Sequence, residues 1–243
     1  MQQVLGNLVP LVTPYTDDSS AISEVRLARL VRRVLQAEVG GIIVASDTGE
    51  YQALAPSERK ELLETVLREV RSDVAVLTNV TADSTIRCLD LAQHASRHGA
   101  TAAILMPPSQ VLSEDELLNH ILTVARLGQI PLIMADPESK LTDAVLKELS
   151  SHSDISVSTG PNGKPTWSDT FALPRAEAST LHLLSSLRHE ADQPAWTEML
   201  DQLGRPQVTK SALELLDMEV GPPRAPARPL TGVKLDQLRR ILS

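Results

Sequence analysis

A chain of 243 residues matches one α/β barrel in length rather than several domains. Its formal net charge of −8 argues against nucleic acid or an anionic membrane as partner, because both call for clustered cations. Two Trp, two Tyr and one Phe leave no set of platforms on which single-stranded nucleic acid would stack, whereas 42% hydrophobic residues suffice for a core of Leu, Val, Ile and Ala.

The N-terminus, MQQVLGNLVPLV, has neither a basic n-region nor a small-residue cleavage site. No apolar run approaches the ~20 residues of a membrane span. The one cysteine, Cys88, excludes an intramolecular disulfide and fits a reducing compartment, so a cytoplasmic location is expected. Cys88 itself falls in a helical pattern and reads as a small buried hydrophobe.

Six short apolar runs follow one another: Leu8–Val12, Ile42–Ala45, Val74–Val80, Ala102–Met106, Ile130–Met134 and Ile155–Ser158. Each reads as a buried strand, apolar throughout and rich in β-branched residues or leucine. Helical periods lie between them. Val25, Leu30, Val31, Val34 and Leu35 share one face, opposite Arg26, Arg29, Arg32 and Arg33. Leu62, Leu63, Val66, Leu67 and Val70 repeat the pattern, as do Leu117, Leu118, Ile121, Leu122 and Ala125. Pro56-Ser57-Glu58, Ser84 and Ser113-Glu114-Asp115-Glu116 supply caps and acids for N-terminal turns. Such alternation implies a parallel sheet, and at this length a closed barrel.

After Ser158 the pattern degrades. STGPNGKPTWSDTFALPRAEAS has no helical period where a crossover helix is due. A weak strand is expected at Thr166–Trp167 and a better one at Leu181–Leu184. Helices resume at Ala195–Leu203, Val208–Leu216 and Val233–Leu242, with Gly221–Leu230 a stiff Pro-rich connector. The expectation is one domain over 1–243, regular to residue 158 and abbreviated over 159–243. Trp167 and Trp196 are expected to plug the thinned half of the core.

GIIVASDTGEYQALAPSERKELLETV and VAVLTNVTADSTIRCLDLAQHASRHGATAAILMPP, together with LVPLVTPY and IPLIMADPESK, resemble the class I pyruvate aldolases. That is the dihydrodipicolinate synthase/N-acetylneuraminate lyase family. SDTFALPRAEASTLHLLSSL looks like its compressed strands seven and eight, and VTKSALELLDMEVGPPRAPARPLT like its C-terminal helix and Pro-rich tail. The resemblance implies a (β/α)8 TIM-type barrel with a reduced C-terminal half, the helix after strand six missing, and C-terminal helices. It further implies lyase chemistry through an imine between a strand-six lysine and a 2-oxo acid, without a cofactor.

The residues depart from that chemistry. The lysine position is Ser158, whose hydroxyl cannot form an imine with a ketone, and losing the covalent nucleophile removes the mechanism itself. The proton-relaying tyrosine position is Ala135, followed by Asp136; loss of a relay alone costs ~10²–10⁴ in rate. The two adjacent hydroxyls that hold the substrate carboxylate are here Asp47 and Thr48. A carboxylate ~4 Å from that of the substrate costs about 1 kcal/mol in water and ~4 at an effective dielectric of 20. Ser109-Gln110 replaces a tyrosine that the family lends across a dimer. Thr48 and Gly49 match the family, and Lys140 stands where an arginine clamps a carboxylate, so these three are the expected substrate-binding residues.

The expected function is a non-catalytic binding or structural protein of this family, taking a small molecule at the barrel mouth. It is expected as a homo-oligomer, or as a hetero-oligomer with an active paralogue. The alternatives are an imine-free enzyme using Asp47 and Asp136, as an acid/base pair or as ligands of a hard cation, or a surviving lyase with Lys164 as substitute amine. Lys164 lies in the turn PNGKP, which favours exposure and supplies no apolar pocket to lower its pKa. His94 and His98, at i and i+4, share a helix face that suits zinc, but no Cys or carboxylate completes the set nearby and the helix lies on the barrel's outside, so a solvated face and no metal are expected. No dinucleotide or phosphate-loop fingerprint is present.

Overall fold

Each of the six apolar runs forms a strand: β1 Gly6–Pro10, β2 Gly41–Val44, β3 Ala75–Asn79, β4 Ala102–Leu105, β5 Leu132–Met134 and β6 Ile155–Val157. The computed structural model describes residues 6–136, 141–158, 171–173, 176–178, 180–186 and 191–243. Helices α1 Glu24–Val34, α2 Pro56–Glu69, α3 Thr85–His98, α4 Glu114–Gly128 and α5 Asp143–Leu149 connect successive strands. A strand followed by a helix and a parallel strand is the βαβ unit, and all neighbours from β1 to β6 pair in parallel.

The sheet runs β6-β5-β4-β3-β2-β1-β8-β7, where β7 is Phe171–Leu173 and β8 is Ala176–Ala178. β8 lies parallel to β1, and β7 pairs antiparallel with β8. The two-residue connection between β7 and β8 is too short for a crossover, so an antiparallel hairpin is the one available pairing. No pairing between β6 and β7 is recorded among the described residues.

Strand side chains alternate between two cores. Val9, Ile42, Val44, Val76, Ala103, Leu105, Leu132 and Met134 pack with the helices. Leu8, Ile43, Leu77, Ala102, Ile104 and Ile133 point to the other face and, with Met106 and Ala135, fill the barrel interior. The period of two follows from the pleat. Gly41 permits the tight approach of three strands: a Cβ there would sit 2.8 Å from both the Ala75 carbonyl oxygen and Leu8 Cδ2.

Helix starts follow local chemistry. Ser23 accepts the Arg26 N–H at 3.4 Å. At α4, Ser113 accepts from the Glu116 N–H at 3.3 Å while the Glu116 carboxylate takes the Ser113 N–H at 2.8 Å, a reciprocal cap. Cys88 is buried, as its pattern implies.

Two expectations are corrected, and one helix was not foreseen. Leu181–Leu184 is no strand but part of α6, Thr180–Ser186, with Leu183 and Leu184 fully buried. A run of four apolar-rich residues fits either period, and the length rule fails for a helix this short. Val25 is 81% exposed, because the buried face of α1 is Leu27, Leu30, Val31 and Val34, and 100° per residue carries Val25 away from it. Helix α5 was hidden by its seven-residue length; its Thr142 cap accepts the Val145 N–H at 3.4 Å. The expected strand Thr166–Trp167 and the expected gap after strand six lie outside the described residues.

C-terminal helices α7 Gln193–Leu203, α8 Arg205–Leu215 and α9 Gly232–Ile241 build a third core around Trp196. Its indole N–H donates to Thr180 Oγ1 at 3.0 Å, tying this layer to α6. No helix among the described residues is long and apolar enough to cross a membrane.

Candidate active site

The carboxyl ends of the strands converge on one mouth, and the β2 exit supplies its most constrained turn. Ala45 and Glu50 both adopt left-handed backbone, with φ of 54° and 59°. Such conformations disfavour side-chain-bearing residues and persist where surrounding contacts enforce them. Here Thr13 Oγ1 donates to the Gly49 carbonyl at 2.5 Å, and the Gly49 N–H donates to Ser46 Oγ at 3.3 Å. Gly49 is required by space: a Cβ would meet the Leu11 carbonyl oxygen at 2.9 Å.

A cavity of about 560 Å³ opens at this mouth, walled by Asp47, Tyr51, Arg59, Thr81, Met106 and Asp136 among others. Asp47 and Asp136 thus face one space. Asp136 is wholly buried, and its carboxylate accepts the Leu141 N–H at 2.8 Å, just ahead of α5. Thr48 is wholly buried behind the turn. Ala135 belongs to the packed interior. Ser158 is buried at the end of β6, its N–H donating to the Met134 carbonyl at 2.9 Å; its Oγ has no hydrogen-bond partner among the described residues, and it is not among the described wall residues. Lys140 and Lys164 lie outside the described residues.

Arg59 was not foreseen. Its guanidinium is buried and donates to the Thr81 carbonyl at 2.7 Å and to the Asn79 carbonyl. It also lies 5.5 Å from the centre of the Tyr51 ring. Burial pulls its pKa down to about 10, since the partners are carbonyl dipoles rather than an anion. The signal was present: Arg59, Leu62, Leu63 and Val66 fall at i, i+3, i+4 and i+7, so an arginine occupies the apolar stripe of α2.

Behind the turn lies a second unforeseen set. Lys210 of α8 is 1% exposed; its Nζ meets Glu50 Oε1 at 2.7 Å and lies 4.0 Å from the Tyr15 ring centre. It also donates to the Pro222 carbonyl at 3.1 Å. Burial draws the ammonium below its ordinary pKa, against the pull of Glu50. Arg224 donates its N–H to Glu50 Oε2 at 2.7 Å, and its guanidinium grips both Glu58 oxygens at 2.9 and 2.8 Å. Tyr15, enclosed by these charges, is pushed well above the usual phenol range, chiefly by burial. The Pro-rich connector is therefore pinned across the mouth's rim by charge-assisted hydrogen bonds.

The sequence matches the model of the dihydrodipicolinate synthetase family over residues 3–156, more than half of the chain. It is 32% identical over 139 residues to the 4-hydroxy-tetrahydrodipicolinate synthase of Methanopyrus kandleri, covering 57% of this chain and 46% of that protein. An uncharacterized DapA-like lyase of Pyrococcus abyssi is 36% identical over 130 residues, covering 53% of this chain and 43% of the lyase. The matches thus span about half the length of the curated relatives. Among solved structures, dihydrodipicolinate synthase of Agrobacterium tumefaciens superimposes with a TM-score of 0.85 at 21% identity, covering 98% of this chain and 97% of that one. The N-acetylneuraminate lyase of Proteus mirabilis gives 0.81 at 17% identity, over 99% of this chain and 98% of the other. At these identities the structural likeness establishes a TIM-barrel fold.

Proposed function

The chain belongs to the dihydrodipicolinate synthetase family, and from that premise we propose that it is a member without imine chemistry, a binding or structural barrel that takes a small molecule at its mouth. The observation that carries this reading is Ser158 at the end of β6, where the sequence resemblance puts the family's lysine. Its buried hydroxyl faces no base among the described residues and cannot condense with a ketone. Ala135, packed in the interior, offers no hydroxyl for a proton relay. Lys210, the one buried lysine among the described residues, is held by Glu50 at 2.7 Å behind the turn and is not among the cavity's described wall residues. Incubation with pyruvate followed by borohydride and intact mass measurement should give no adduct. A stoichiometric adduct, on Lys164 or any other lysine, refutes the reading and restores the lyase.

Arg59 and Asp47 make the cavity wall mixed in charge, which suits a small polar ligand better than a simple 2-oxo acid. A second reading, imine-free catalysis by Asp47 and Asp136, is favoured by their sharing one cavity. It is opposed by the hydrogen bond that the Asp136 carboxylate accepts from the Leu141 N–H. The proposal includes self-association, or association with an active paralogue.

A further inference from the structure

His94 and His98 lie one turn apart on α3, and the packing of α3 against α2 brings Glu64 to both. The residue that completes the set comes from a neighbouring helix, thirty residues before His94, where sequence proximity does not point. Nor is the pair a solvated face, because His94 is 9% exposed. The Nε2 atoms of His94 and His98 stand 3.0 and 3.8 Å from the same oxygen, Glu64 Oε1. One ligand atom from each residue lies within 4.8 Å of the others. Donors bound at about 2.0–2.1 Å to one tetrahedral zinc sit about 3.3 Å apart, so the observed separations need small side-chain adjustments.

Hydrogen bonding assigns the tautomer of one ring. His98 Nδ1 is 2.8 Å from the His94 carbonyl oxygen, which can only accept, so Nδ1 carries the proton. In the neutral ring the lone pair then lies on Nε2, the nitrogen that faces Glu64. A lone pair and a carboxylate oxygen repel unless a cation or a proton lies between them. His94 Nε2 is buried and makes no aligned hydrogen bond, although Glu64 is 3.0 Å away. The two rings stack with centroids 4.0 Å apart, which turns both toward the same carboxylate. Nearby cations are engaged elsewhere: Lys60 pairs with Asp90 at 2.7 Å, and Arg97 donates to the Gln93 carbonyl at 3.1 Å.

We propose that Glu64, His94 and His98 bind a divalent transition-metal ion of the zinc class, clamping α2 to α3 on the outer surface of the barrel. Two imidazoles and one carboxylate suit zinc rather than calcium or magnesium, which take sets of oxygen ligands. Glu64 and His98 are partly exposed, so solvent completes the coordination.

The test uses the untagged full chain, stripped with a chelator and titrated with Zn²⁺ against a chromophoric competitor. One equivalent should bind at about micromolar affinity or tighter. His98→Ala and Glu64→Gln, both at partly exposed side chains, should each weaken that binding by about a hundredfold or more with an unchanged circular dichroism spectrum. Saturating Zn²⁺ should raise the melting temperature by about 5–10 °C in the parent and not in His98→Ala. A parent chain that takes up no equivalent overturns the proposal. Variants that bind within threefold of the parent overturn it equally, because the ion then sits elsewhere.

Discussion

Glu50 and Lys210 form the pair on which the rim of the mouth depends, and both are nearly inaccessible to water. Removing one partner strands a buried charge, so Lys210→Met or Glu50→Gln should lower unfolding free energy by about 3–5 kcal/mol in denaturant titrations. A loss below about 1 kcal/mol would show the pair to be exchangeable for packing. Glu58 reports the same region through pH. Arg224 holds its carboxyl below the ordinary 4.5, so its contribution is present above that value and is lost as pH falls through the lower folded one. The melting-temperature gap between the parent and Glu58→Gln should therefore be wide at pH 6 and shrink by pH 3; a gap constant with pH would contradict the Arg224 contact. Asp47 can be tested by affinity. Asp47→Asn removes repulsion of about 1 kcal/mol or more toward a bound carboxylate, so noncovalent pyruvate binding should tighten at least about fivefold. Unchanged binding in calorimetry would remove Asp47 from the ligand's surroundings.

At the scale of elements, the parts most legible in sequence were those with a strong period or a cap. Ser113 and Glu116 announced α4, and they are joined there as a reciprocal cap. Ser113→Ala should destabilise the protein by about 1 kcal/mol in thermal or chemical melts; no change would mean that tertiary packing alone sets the start of α4. The six strands from β1 to β6 were equally legible, because their apolar runs alternate in order with longer amphipathic helical periods. Short elements were not. α5 and α6 have seven residues each, too few for a helical period to separate from a strand's, and α6 was misread on that account. Val25 was misassigned for a related reason: four apolar residues define the stripe of α1, and a fifth nearby was counted into it although its angle differs.

For the whole molecule, assembly turns on the side chains that the fold leaves exposed. Ser109 and Gln110 are exposed where the resemblance implies an aromatic anchor, and Val111 beside them is fully exposed. The large exposed apolar side chains among the described residues are Val25, Ile86, Val111, Leu127 and Val233, scattered rather than joined in one patch. They supply no apolar face for association, which rests on the family pattern. Sedimentation at micromolar concentration should give a dimer or larger species; a single species at 26.4 kDa, the mass of one chain, would refute it. The sequence by itself determined the order of strands and helices, the family, and the absence of an amine at position 158, because periodicity, caps and residue identity are local properties. Tertiary structure alone decided which distant charges meet. Glu50 and Lys210, Glu58 and Arg224, and Glu64 with His94 and His98 each join different elements, and nothing local in a chain encodes the faces on which separate helices and loops pack.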